Sequence, residues 1–146
     1  MGYLNEHLSG IEDVELNHTL ASFKILPPTG STEKSLWGYI TEQAVAIREI
    51  EKPNKIHVYS MSVTAKDTDG DELNGTPSSW SSAIDNILFN NDAKKLFCIS
   101  VGNTDIDDSS FEYKKTNLDS RIENPAQSWN ALSIGAFTQK DTITDE

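Results

Sequence analysis

Residues 97–103 read Phe97-Cys98-Ile99-Ser100-Val101-Gly102-Asn103, an apolar run that stops at Gly-Asn and gives way to hydrophilic sequence carrying Asp105, Asp107 and Asp108. A short apolar run bounded by a glycine predicts a buried strand. In an open parallel sheet, ligands bind just beyond such carboxyl ends. A glycine there lets another chain approach the backbone closely, and an asparagine there can aim amide donors into the crevice.

Working outward, the chain before this strand alternates in period. Ser78 or Ser79 offers an N-cap after Pro77, and Trp80, Ala83, Ile84, Ile87 and Leu88 recur at helical spacing until Asn90-Asn91-Asp92. Residues 56–63, rich in β-branched and aromatic side chains, suit a strand. Leu36, Tyr39, Ile40, Ala44, Ile47 and Ile50 mark the apolar face of an amphipathic helix over residues 36–51, broken by Lys52-Pro53-Asn54. Residues 20–26 alternate as a further strand before Pro27-Pro28 and Gly30. After a polar segment over residues 104–123, residues 129–137 read as a fourth strand with a glycine inside. The order β-α-β-α-β-loop-β places the chain in the α/β class, as a three-layer, doubly wound, mostly parallel sheet. One domain is expected, with a poorly defined segment at residues 1–19, a core over 20–138 and a tail over 139–146.

Composition narrows the function classes. The chain has 146 residues, 36% hydrophobic and 24% charged, with a formal net charge of -11. That charge repels a nucleic-acid backbone. No apolar run approaches the ~20 residues of a membrane span, and the first residues lack the basic start and apolar core of a secretory signal. A soluble protein is expected, with no nucleic-acid or membrane partner and its compartment left open. Cys98, the single cysteine, lies inside the apolar run and reads as a buried thiol. Asp67, Asp69 and Asp71 alternate as in a calcium loop, but Glu72 stands where an EF-hand needs glycine and Ser78 where it needs a bidentate glutamate. These residues and the cluster Asp105, Asp107 and Asp108 read as solvated acidic loops. No Cys/His group has zinc spacing and no glycine-rich phosphate loop follows a strand, so neither a metal nor a cofactor is expected. Trp37, Trp80 and Trp129 read as packing residues.

Beside the Gly102-Asn103 strand end, four pieces in order resemble the subtilases, the subtilisin-like serine peptidases, one of them being Pro77-Ser78-Ser79-Trp80 through Asp85, which is similar to a helix of theirs. Ser22-Phe23-Lys24-Ile25-Leu26 is similar to their Val-Lys-Val-Leu strand, and Ser60-Met61-Ser62-Val63 to their Asn-Met-Ser-Leu strand. Ser100-Val101-Gly102-Asn103 is similar to their Ala/Ser-x-Gly-Asn strand end, and residues 130–136 to their Val-Ile-x-Val-Gly-Ala strand. The resemblance spans residues 21–138 and implies a partial subtilisin-like fold. It implies that Asn103 is the oxyanion-hole donor of an acyl-transfer site. It further implies that Ser62-Val63-Thr64 and Ser100-Val101-Gly102 wall the primary specificity pocket, and that Gly30-Ser31-Thr32 pairs with the substrate backbone. Thr64 and Thr32 stand where the family usually has glycine.

The family's triad motifs are absent: there is no Asp-x-Gly strand end, no His-Gly-Thr helix start and no Gly-Thr-Ser-x-Ala helix start. His57 sits inside a predicted strand, His18 precedes Thr19 rather than Gly-Thr, and Pro77 stands where Gly75-Thr76 would require the nucleophile. The triad would flank the matched region on both sides, so the expectation is an excised central portion of a serine endopeptidase, inactive alone, whose parent hydrolyses peptides or proteins. Its exposed sheet edges would favour dimers or strand exchange. The rival reading is a non-catalytic α/β binding module, which the fold equally permits.

Overall fold

The computed structural model describes residues 18–66, 76–89, 94–103 and 120–136. Three strands, β1 (His57–Met61), β2 (Lys95–Ser100) and β3 (Leu132–Ile134), form a parallel sheet in the order β1-β2-β3. Parallel neighbours require a crossover. Between β1 and β2 it contains helix α2 (Ser79–Phe89), and helix α1 (Trp37–Glu51) precedes β1. This is the expected α/β architecture, in part.

The register explains which side of the sheet is buried. Tyr59 faces Phe97 across the β1–β2 ladder and Met61 faces Ile99, all on one surface. Against that surface lie Val45 of α1 and Trp80 and Ile84 of α2, with Ala126 completing the core. On the other surface Val58, Leu96, Leu132 and Ile134 are exposed. Among the described residues both helices cover one surface only, so these residues form two of the three expected layers.

Helix α2 begins as its sequence predicts. Ser78 accepts the Ser81 backbone N–H through its hydroxyl at 3.2 Å, satisfying one of the donors a helix start leaves free. Trp80, Ala83 and Ile84 are buried, and Ile87 and Leu88 are half-buried. Helix α1 has its predicted extent but buries a different face. Gly38, Thr41 and Val45 are buried, while Leu36, Tyr39, Ile47 and Ile50 are exposed. The reason is steric: an added Cβ at Gly38 would lie 2.9 Å from Ala83 Cβ, so the helices approach through their small residues. Trp80 then donates its indole N–H to Thr41 Oγ1 at 2.8 Å, and the Thr41 hydroxyl donates to the Trp37 carbonyl at 2.9 Å.

Other expectations need correction. Residues 20–26 form no strand; no described strand pairs with them, and alternation without a partner leaves Leu20 90% exposed. The fourth strand shrinks to Leu132–Ile134, with Trp129 85% exposed rather than packed. Cys98 is half-buried, because its side chain points to the uncovered surface. The acidic segment at residues 67–72, the cluster Asp105, Asp107 and Asp108, and residues 1–17 and 137–146 lie outside the described residues.

Candidate peptide-binding site at the carboxyl end of the sheet

Beyond the carboxyl end of β1 the chain continues through Ser62, Val63, Thr64 and Ala65; beyond β2 it continues through Val101, Gly102 and Asn103. Residues 121–130 tie the two together. The Val101 carbonyl accepts the Glu123 N–H at 2.9 Å, and Ala65 and Asn124 exchange both backbone hydrogen bonds, at 2.8 and 3.0 Å, as an antiparallel bridge. The same segment is anchored beneath. Asp85 of α2 accepts from the Ser128 hydroxyl at 2.6 Å and the Asn130 N–H at 2.8 Å, and Ser133 of β3 donates to the Ala126 carbonyl at 2.6 Å.

This arrangement brings the two predicted specificity-pocket segments onto one residue that the sequence did not single out. Thr64 donates its hydroxyl to the Glu123 carboxylate. Gly102 has φ +116, and a Cβ there would lie 2.7 Å from Glu123 Oε2 and closer still to its Cγ and Cδ. The glycine is needed both for its backbone conformation and for the space. Glu123 closes a featureless polar run, and only the tertiary bridge through Asn124 reveals its position.

The predicted substrate strand meets the same region from the other side. A cavity of about 270 Å³ opens between Gly30-Ser31-Thr32 and Val63-Thr64, with Leu26, Trp37 and Trp80 among its walls. Its lining is chiefly apolar, and the Trp37 and Trp80 rings meet at 5.2 Å. The Trp37 indole N–H donates to the Thr32 carbonyl at 3.1 Å, fixing one end of residues 30–32, which form no strand: Gly30 sits in a bend with φ +76. Thr32 is half-buried, and Gly30 and Ser31 are exposed. Of the predicted site residues, Gly30, Ser31, Thr32, Val63 and Thr64 therefore share one cavity, and Val101 and Gly102 join Thr64 through Glu123. Ser62 is exposed and Ser100 is the half-buried last residue of β2, neither lining that cavity; Asn103 is exposed just past the strand end.

His57 has a structural role. It is buried at the start of β1, with Nε2 3.1 Å from the Lys52 carbonyl. Among the described residues no group of three or more His, Cys, Asp or Glu is placed to hold a metal ion, and no helix is long and apolar enough to cross a membrane.

The sequence model of the subtilase family matches residues 3–145, and the parallel three-stranded sheet with its two helices is consistent with part of that family's α/β fold. The chain belongs to the subtilase family. The match extends well beyond residues 21–138, where the motif resemblance lies. No curated protein and no solved structure matches the chain individually. As a subtilase it is related to serine peptidases.

Proposed function

We propose that this subtilase chain is the central, substrate-binding portion of a serine endopeptidase, with the Asp, His and Ser of the triad supplied by residues outside this sequence. What supports the reading is one juxtaposition: Gly30-Ser31-Thr32 and Val63-Thr64 line a single cavity, and Gly102 is coupled to Thr64 through Glu123. An extended peptide laid beside residues 30–32 would add a strand by main-chain hydrogen bonding, and its side chains would enter the apolar cavity.

In this reading the nucleophilic serine attacks the scissile carbonyl, histidine takes its proton, and negative charge develops on the carbonyl oxygen. The Asn103 side-chain amide donates to that oxygen. Such a donor accelerates the reaction because its hydrogen bond is stronger to the tetrahedral oxyanion than to the ground-state carbonyl. The exposed position of Asn103, just past β2, leaves its amide accessible to a substrate. The isolated chain has the binding half of the chemistry and is expected to be catalytically silent.

Labelling with a fluorophosphonate probe tests this. The 146-residue chain should remain unlabelled, while the peptidase that carries it should label at a serine beyond the segment. A labelled serine within the chain, or no labelled serine in the longer protein, would overturn the assignment.

A further inference from the structure

We infer that Glu123 makes the primary specificity pocket select a basic side chain, lysine or arginine, at the residue preceding the scissile bond. The inference rests on the peptide-binding reading above and adds to it the charge of the pocket. Glu123 is half-buried between the two pocket segments: Thr64 donates to its carboxylate, Gly102 makes room for its side chain, and its own N–H is held by the Val101 carbonyl at 2.9 Å. Its backbone is thus fixed and its carboxylate oriented by a hydroxyl donor.

Glu123 is not among the residues lining the apolar cavity; its carboxylate, held between Thr64 and Gly102, penalises an apolar side chain laid over it, which would strip its water and offer no hydrogen bond in return. An acidic side chain meets direct repulsion. An ammonium or guanidinium replaces the lost water with a charge-assisted hydrogen bond, and arginine can engage the carboxylate through two donors. Thr64, whose bulk would otherwise obstruct the pocket, acquires a use as the donor that positions the carboxylate. The formal charge of -11 favours approach of a basic peptide as well.

Titration of the 146-residue chain with blocked tetrapeptide amides, identical except for a final arginine, norleucine or glutamate, reads this directly. Trp37 and Trp80 line the neighbouring cavity, so intrinsic fluorescence reports occupancy. The arginine peptide should bind about 10- to 100-fold more tightly than the norleucine peptide, the range of one charge-assisted hydrogen bond. Glu123→Gln should abolish that preference by weakening arginine binding and relieving part of the penalty on norleucine, and Glu123→Asp should retain part of it. Norleucine binding as well as arginine, or an unchanged preference in E123Q, overturns the basic selectivity and leaves the peptide groove standing. Failure of all three peptides to bind removes the groove, and the selectivity with it.

Discussion

Replacing Gly102 by alanine tests the local architecture on which the site depends. Two costs follow from the structure. At φ +116 an L-residue is strained, which costs about 1–3 kcal/mol. The new Cβ would also overlap the Glu123 side chain, forcing it away from Thr64; losing a hydrogen bond to a charged group costs about 1.5 kcal/mol at this half-exposed position. The total expected is about 2.5–4.5 kcal/mol. Gly30 provides the control, because it has φ +76 but nothing within 4 Å of its added Cβ; Gly30→Ala should cost only the backbone strain, about 1–2 kcal/mol. Urea unfolding followed by tryptophan fluorescence measures both. In a Glu123→Ala background the Gly102→Ala cost should fall to the strain alone, a coupling of about 1–2 kcal/mol between the positions. Equal costs for G102A and G30A, together with no coupling to E123A, would refute the placement of Glu123 against Gly102.

Two further substitutions probe the core. Thr41→Val should destabilise the chain by about 1–3 kcal/mol, because it strands the buried Trp80 indole N–H; Thr41→Ser should recover most of the loss in the same urea experiment. Tyr59 has a buried hydroxyl without a partner among the described residues, and burial, aided by Glu49 and opposed by Arg48, pushes its pKa from 10.0 up to about 12. The folded state therefore holds the phenolic proton more tightly, a contribution fully present below pH 10 and lost as pH rises through about 12. Tyr59→Phe should leave stability at pH 7 unchanged or raise it by up to about 1 kcal/mol, and should remove Tyr59's share of the decline at alkaline pH, read from urea midpoints across the pH series.

The parts of the fold legible in sequence are those governed by local rules. Ser78 caps α2 because a hydroxyl at that position meets a free N–H, and the apolar runs at β1 and β2 pair because both are short, β-prone and joined by a helix. The face of α1 was not legible from its apolar stripe. Contact with α2 is decided by how closely two backbones can approach, which favours Gly38 and Thr41 over Leu36, Tyr39 and Ile47. Residues 20–26 show the same limit for strands, since alternation describes a surface and says nothing of a neighbour. At the site, strand-end Gly102-Asn103 and the Val63-Thr64 wall could be recognised by pattern. Glu123 could not, because its position depends on a bridge between Ala65 and Asn124 that spans 59 residues of chain.

Asn103 carries the central claim, and steady-state kinetics of Asn103→Ala in a longer peptidase of which this chain is proposed to form the central part tests it most directly. A donor that acts mainly on the oxyanion should affect kcat and leave KM nearly unchanged. The expected fall in kcat is about 10²- to 10³-fold, the magnitude known for the corresponding asparagine of subtilisin rather than one worked from this structure. A kcat within a few-fold of the wild-type value would contradict the account.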